Sequence, residues 1–248
     1  MYRSITKLGH SLGKRLFWRQ HLREAIKELH DLRKQLPTDS MVLTLPLLFK
    51  GKGHYRTLGL KQNLVELQSF IQFLEPRKIT SALEIGTMKG GTLYLWCQLS
   101  DPRAKIFSID LPSGRFGGGY TSKLELLFHQ FKQPLQGLVC IQGDSHSAGT
   151  RIAFEQALGG RSIDFLFIDG DHTYSGVKRD FQDYSPYVRQ GGVIAFHDIV
   201  FNPANSSDFE VWRFWQELKE LHPDAVEFID PPNAHRRTIG IGAIRKNW

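Results

Sequence analysis

Cysteine is nearly absent: Cys97 and Cys140 are the only two among 248 residues. Both sit in apolar surroundings without the paired spacing of a zinc ligand set. That excludes a disulfide scaffold or zinc ribbon and points to reduced thiols in a cytoplasmic protein. No apolar run approaches the roughly 18 residues of a transmembrane segment, and the first residues lack the continuous apolar stretch of a secretory signal. Repeats and low-complexity tracts are missing too. An excess of positive charge is confined to one end. The net charge is +7, and residues 1–36 hold nine basic groups against three acids, which accounts for +6 of it. The remainder is close to neutral, so no nucleic-acid partner is expected.

What is present is an alternation of short apolar runs and helix-length amphipathic segments, with a hydrophobic fraction of 41%. The pattern predicts an α/β protein with a Rossmann-like, doubly wound, mostly parallel seven-stranded sheet, an antiparallel terminal strand and an N-terminal helical extension. Residues 1–60 read as that extension with a linker, and residues 61–248 as the main domain. Leu16, Leu22, Ile26, Leu29, Leu32 and Leu36 recur at helical spacing, so 14–36 reads as one helix ended by Pro37. A basic amphipathic helix suits weak contact with an anionic membrane surface. Its interspersed acids and single Trp18 favour docking or homo-oligomer formation instead. Pro46, Gly51, Gly53 and Gly59 make 37–60 read as a linker or the wall of a lid. Residues 61–75 form a further helix.

The centre of the chain is Ile163–Val200. An apolar run stops at Asp169, a turn carries Asp171 and His172, and a helix follows through Val177, Phe181, Tyr184 and Val188. Gly191-Gly192 ends it, and a second apolar run stops at His197-Asp198. This is a strand–helix–strand crossover, and its largely apolar strands are those of a parallel sheet buried on both faces. The carboxyl ends of parallel strands face the ligand crevice, so Asp169, His172, His197 and Asp198 should converge on one cleft. Asp171 reads as a helix cap.

Other strand ends carry further candidates. Ser81–Ile85 runs into Gly86-Thr87-Met88-Lys89-Gly90-Gly91, a glycine turn before a helix. Met88 stands where a dinucleotide fingerprint needs glycine, which disfavours NAD or FAD. The strand Lys105–Ile109 ends at Asp110, placed for ribose hydroxyls. The loop Leu111 to Tyr120 contains Gly117-Gly118-Gly119 and reads as a mobile lid with Arg115, Phe116 and Tyr120 as contacts. Leu138–Gln142 ends at Gly143-Asp144-Ser145. A helix over 209–222 and terminal strands at Ala225–Ile229 and Thr238–Ile244, joined through Pro231-Pro232-Asn233, complete the reading. Of the remaining histidines, His54 and His146 are weak cleft candidates, whereas His129, His222 and His235 read as surface or core.

With these strands placed, the chain resembles the class I S-adenosylmethionine-dependent methyltransferases. The resemblance rests on Glu84-Ile85-Gly86 with Gly90-Gly91, on Asp110, on Gly143-Asp144-Ser145 and on Gly191-Gly192, and covers about residues 62–245. Ile168-Asp169-Gly170-Asp171-His172 and Phe196-His197-Asp198 look like the metal-dependent O-methyltransferase branch, in particular its cephalosporin hydroxylase-like and macrolide-sugar O-methyltransferase group. The resemblance implies that Glu84, Gly86, Thr87, Gly90, Gly91, Asp110, Asp144 and Ser145 bind S-adenosylmethionine. It implies that Asp169, His197 and Asp198 hold a divalent metal, Mg²⁺ or Mn²⁺, and that His172 is the general base. Relatives usually carry an acid where His197 stands, and an imidazole tilts the preference from Mg²⁺ toward softer ions. The implied activity is O-methylation of a small hydroxylated acceptor, such as a sugar or a natural-product scaffold. Two rivals stand beside it. One is a catalytically silent cofactor-binding module, opposed by the intact Asp169/His172/Asp198 set. The other is a nicotinamide-dependent oxidoreductase, opposed by the missing fingerprint.

Overall fold

The computed structural model describes residues 3–116, 118–203, 207–230 and 239–248, with side chains described from residue 17 onward except at 38 and 39. Gly117, Pro231-Pro232-Asn233, His235, Thr238 and the side chain of Leu16 lie outside the described residues.

Five strands run parallel: β1 (Ser81–Ile85), β2 (Lys105–Asp110), β3 (Gly137–Gln142), β4 (Ile163–Ile168) and β5 (Val188–His197). With β6 (Val226–Phe228) and β7 (Ile241–Arg245) they form a sheet of order β3-β2-β1-β4-β5-β7-β6, in which β7 is antiparallel to both its neighbours. Every residue of β1 is buried, Ser81 and Glu84 included, as in a strand covered on both faces. Strand order reverses between β1 and β4, which opens a crevice at their carboxyl ends. Register brings those ends level: Ile85 pairs with Ile109 and Ile168, and Ile168 with Phe196.

One face of the sheet is covered by α1 (Arg3–Gln35), α2 (Thr38–Leu48), α3 (Leu64–Leu74), α4 (Gly91–Leu99) and α5 (Ser122–Phe128). The other is covered by α6 (Ala148–Leu158), α7 (Tyr174–Tyr184) and α8 (Val211–Leu221). The apolar stripe of α1 turns inward. Ala25 and Leu29 are fully buried in the same cluster as Leu45, Phe49, Leu93 and Trp96. Glu28 secures the following segment by accepting from the N–H groups of Lys50 and Gly51 at 2.7 and 3.0 Å.

Three local readings differ from the structure. Residues 37–60 are not a bare linker. Pro46 lies inside α2, two residues from its end. Leu45, Phe49, Tyr55 and Leu58 then bury a continuous apolar surface, while Gly59 and Gln62 border the crevice. Val188 is not helical: Pro186 sits in a short 3₁₀ turn after α7, and Val188 opens β5 opposite Ile163. Gly191 and Gly192 lie within β5 rather than stopping the helix. They accommodate a register shift between Ile163 and Phe165, and a Cβ at Gly192 would stand 2.5 Å from the Val188 side chain.

Candidate active site

A cleft of about 580 Å³ opens at the carboxyl ends of β1, β2, β4 and β5. Gly86 ends β1 with a φ of +89°, and a Cβ there would lie 2.1 Å from the carbonyl oxygen of Asp169. Glycine is therefore required for β1 and β4 to finish side by side. The turn beyond is tied to β2: the N–H groups of Thr87 and Met88 both donate to Oδ2 of Asp110, at 2.9 and 2.6 Å. Burial pushes the Asp110 carboxyl up, against the pull of these donors. Asp110 faces the cleft with Gly86 and Thr87. Asp144 and Ser145 line its far side. Beside them His146 places Nε2 3.1 Å from Oδ1 of the buried Asp180, whose hydrogen bond raises the imidazole pKa.

Three residues expected at the cofactor lie elsewhere. Glu84 is fully buried beneath the cleft, accepting from Trp96 Nε1 at 2.8 Å and Thr87 Oγ1 at 2.7 Å, and burial pushes its carboxyl up to about 8. Gly90 and Gly91 serve close packing. A Cβ would meet the Phe128 ring at 2.4 Å from Gly90, and the Leu60 backbone nitrogen at 2.9 Å from Gly91. Tyr120 is likewise buried, against Phe128.

On the other side of the cleft two carboxylates and two imidazoles meet. His172 Nδ1 lies 3.0 Å from Asp198 Oδ2. His197 Nδ1 lies 3.2 Å from Asp169 Oδ1 and 3.3 Å from the same Asp198 oxygen. Burial works against the charged form of both imidazoles, but the carboxylates prevail. They raise His172 above its ordinary value and His197 well above it. Asp198, in a left-handed conformation with φ of +59°, is held far below the carboxylate range by His197 and His172 despite its burial. Asp169 Oδ2 accepts from Gln62 Nε2 at 3.0 Å. Donor atoms of Asp169, His172 and Asp198 lie within 4.8 Å of one another. His172 is also clamped: its ring stacks on Phe209 at 4.7 Å and meets the edge of Phe116 at 4.9 Å. Arg115 pairs with Asp208, joining the loop after β2 to the segment before α8.

Asp171 does not cap α7. Thr173 does, by accepting from the Gly176 N–H at 3.0 Å, while Asp171 closes a local turn onto the Thr173 N–H at 2.9 Å. Gln62 and Phe209 join the site without any sequence signal, since neither belongs to a local motif.

The sheet order and the position of the cleft are those of a Rossmann-like methyltransferase fold. Residues 83–199, from within β1 to just past the end of β5, match the family described as Methyltransferase domain. Two relatives are themselves uncharacterised proteins. One, from Sinorhizobium fredii, is 30% identical over 159 residues, 62% of this chain and 16% of that one. The other, from Acanthamoeba polyphaga mimivirus, is 32% identical over 122 residues, 47% of this chain and 50% of that one. The chain thus spans at most half the length of these relatives. Among solved structures, an O-methyltransferase from Bacillus cereus in complex with SAH superposes with a TM-score of 0.52 at 17% identity, over 86% of this chain and 93% of that one. TomG from Streptomyces achromogenes, involved in tomaymycin synthesis and solved with SAM, gives 0.53 at 16% identity over 77% and 83%. MycE of the mycinamycin biosynthetic pathway, solved with Mg and SAH, gives 0.50 at 17% over 86% and 54%. Among the described residues no helix is long and apolar enough to cross a membrane.

Proposed function

We propose that the chain transfers a methyl group from S-adenosylmethionine to a hydroxyl of a small molecule, with His172 as general base. The carrying observation is the 3.0 Å contact between His172 Nδ1 and Asp198. A carboxylate on Nδ1 fixes the tautomer in which that nitrogen bears the proton, and leaves Nε2 as the acceptor. Phe116 and Phe209 hold the ring in place, so little ordering is needed when an acceptor enters. S-adenosylmethionine supplies the methyl group already activated on a sulfonium. Asp110 suits its ribose hydroxyls, and Gly86 and Thr87 form the wall beside them. The cleft volume is in the range of sites that enclose one small ligand. Its aromatic rim suits the apolar face of a sugar or natural-product ring, the acceptor class we favour. The chemistry named for TomG and MycE supports that choice by analogy.

A second reading adds a divalent ion. Two carboxylates and an imidazole within 4.8 Å form a donor set that fits Mn²⁺ or Mg²⁺. Asp169, His172 and Asp198 would hold it. His197, whose Nδ1 touches the same two carboxylates, would orient them rather than bind. When bound, such an ion lowers the pKa of a coordinated hydroxyl. Residues 1–60 we take as a helical extension of the methyltransferase unit of 61–248.

The test measures S-adenosylmethionine binding by calorimetry and SAH release with a panel of sugars and polyhydroxylated aglycones. His172→Ala should leave cofactor affinity unchanged and slow methyl transfer by roughly 10²–10⁴-fold. Wild type without cofactor binding would overturn the assignment. Activity lost in chelator and restored by Mn²⁺ would select the second reading over the first.

A further inference from the structure

A second group of metal-competent side chains lies outside the cleft, at the β3 edge of the sheet. Glu125 and His129 stand one helical turn apart at the end of α5, so both project from one face. Glu125 Oε1 lies 3.6 Å from His129 Nε2. Cys140, on β3, points to the same side, toward α5. Donor atoms of Glu125, His129 and Cys140 lie within 4.8 Å of one another. We propose that these three side chains bind a zinc ion, with water as the fourth ligand. The proposal is independent of the methyl-transfer reading.

Four features support it. A carboxylate, an imidazole and a thiol form a borderline-soft set that selects Zn²⁺ over Mg²⁺. Ligand atoms around tetrahedral zinc stand roughly 3.3–3.8 Å apart, given bonds of about 2.0–2.3 Å. The observed spacing therefore closes with about an ångström of side-chain movement. Glu125 is also already oriented: its Oε2 accepts from Gln142 Nε2 at 2.8 Å, which leaves Oε1 toward His129. Such outer hydrogen bonds commonly accompany metal-binding carboxylates. The cluster has an entry path, since the side chains of His129 and Glu125 are 39% and 27% exposed. Burial pushes the Cys140 thiol up to about 12, so zinc must displace its proton.

The consequence would fall on the cleft. Tyr120 ends the loop that borders it, packs on Phe128 of α5 at 5.0 Å and places its hydroxyl 3.2 Å from Ser108 Oγ on β2. An ion joining α5 to β3 fastens the segment behind Tyr120.

The experiment titrates the full chain with Co²⁺ as a spectroscopic stand-in, then with Zn²⁺. A thiolate-to-cobalt charge-transfer band should appear, be displaced by Zn²⁺ and survive excess Mg²⁺. Cys140→Ser should abolish the band. His129→Gln, at a half-exposed position with little risk to folding, should weaken Co²⁺ binding. Asp169→Asn, which alters the cleft, should leave the band intact. No band in wild type, a band that persists in Cys140→Ser, or affinity unchanged in His129→Gln would each overturn the proposal.

Discussion

Glu84 should make the protein lose stability as pH rises through neutrality, and Glu84→Gln should remove that loss. Its carboxyl is fully buried and is held neutral to about 8, against 4.5 for the free side chain. Between those values the folded protein keeps a proton that the unfolded chain has released. The folded state binds more protons, so unfolding free energy falls with pH across that window and levels off above it. At 1.36 kcal/mol per pH unit the total reaches about 5 kcal/mol. Glutamine keeps an oxygen for the Trp96 N–H. It sets an amide against Thr87 Oγ1, which must turn its proton toward Ser108 Oγ, 2.7 Å away. That rearrangement costs about 1 kcal/mol. The stability curves of wild type and variant should therefore cross, with the variant weaker near pH 5 and stronger at pH 8. Urea unfolding followed by tryptophan fluorescence at intervals from pH 5 to 9 measures both. Subtracting the curves isolates Glu84 from His172 and His197, whose raised pKa values also favour the folded state at low pH. Parallel curves would show that Glu84 is ionised in the fold, and the reasoning from burial would fail.

The remaining expectations concern the cleft and the first helix. Asp110→Ala should weaken S-adenosylmethionine or SAH by roughly 1.5–3 kcal/mol, the scale of hydrogen bonds to a charged group, as read by calorimetry. The methyl-transfer rate should rise with pH through a midpoint above the ordinary imidazole value, because Asp198 raises His172 and only the unprotonated ring accepts a proton; His172→Ala should erase that limb of the profile. Chelator should abolish turnover only if the ion reading holds, with Mn²⁺ restoring it. Flotation with anionic liposomes should show weak, salt-sensitive binding at most, since Ala25 and Leu29 of α1 are already buried against the chain's own core.

The sheet was legible because its cause is local. A strand covered on both faces is mostly apolar, and its apolar run stops where a polar residue meets solvent or ligand. Asp110, Asp169, His197 and Asp198 could thus be located from the points where apolar runs stop. The glycine turn was legible for the same reason, but its division of labour was not. Gly86 meets the end of β4, whereas Gly90 and Gly91 meet Phe128 and Leu60, and no spacing rule distinguishes those neighbours. Glu84 was misplaced because a strand alternates faces: one position before the turn region, its side chain enters the layer under α4. The helix α2 was hidden by Pro46, whose cost depends on where in a helix it falls. Gln62 could not be found at all, because its partner Asp169 is distant in sequence and nothing local marks either end of the contact.

Cys140 sharpens the distinction between what spacing can and cannot disclose. Metal motifs readable in a sequence have ligands that share a turn, a hairpin or one helix face. By that rule the two cysteines carried no signal, and His129 read as an ordinary surface residue. Half the pattern was nevertheless present, since Glu125 and His129 have the separation that aligns two side chains on a helix. The third donor arrives from the β3 edge because the chain after α5 turns back into the sheet and sets Cys140 against the helix it has just left. Such a site is specified by an order of elements rather than by an interval of residues. The same holds in the cleft, where the order of β1, β4 and β5 brings Asp169 to His197 and the turn after β4 brings His172 to Asp198. In both clusters the residue types were visible in the chain, and their chemistry was decided by which atoms the sheet brought within reach of one another.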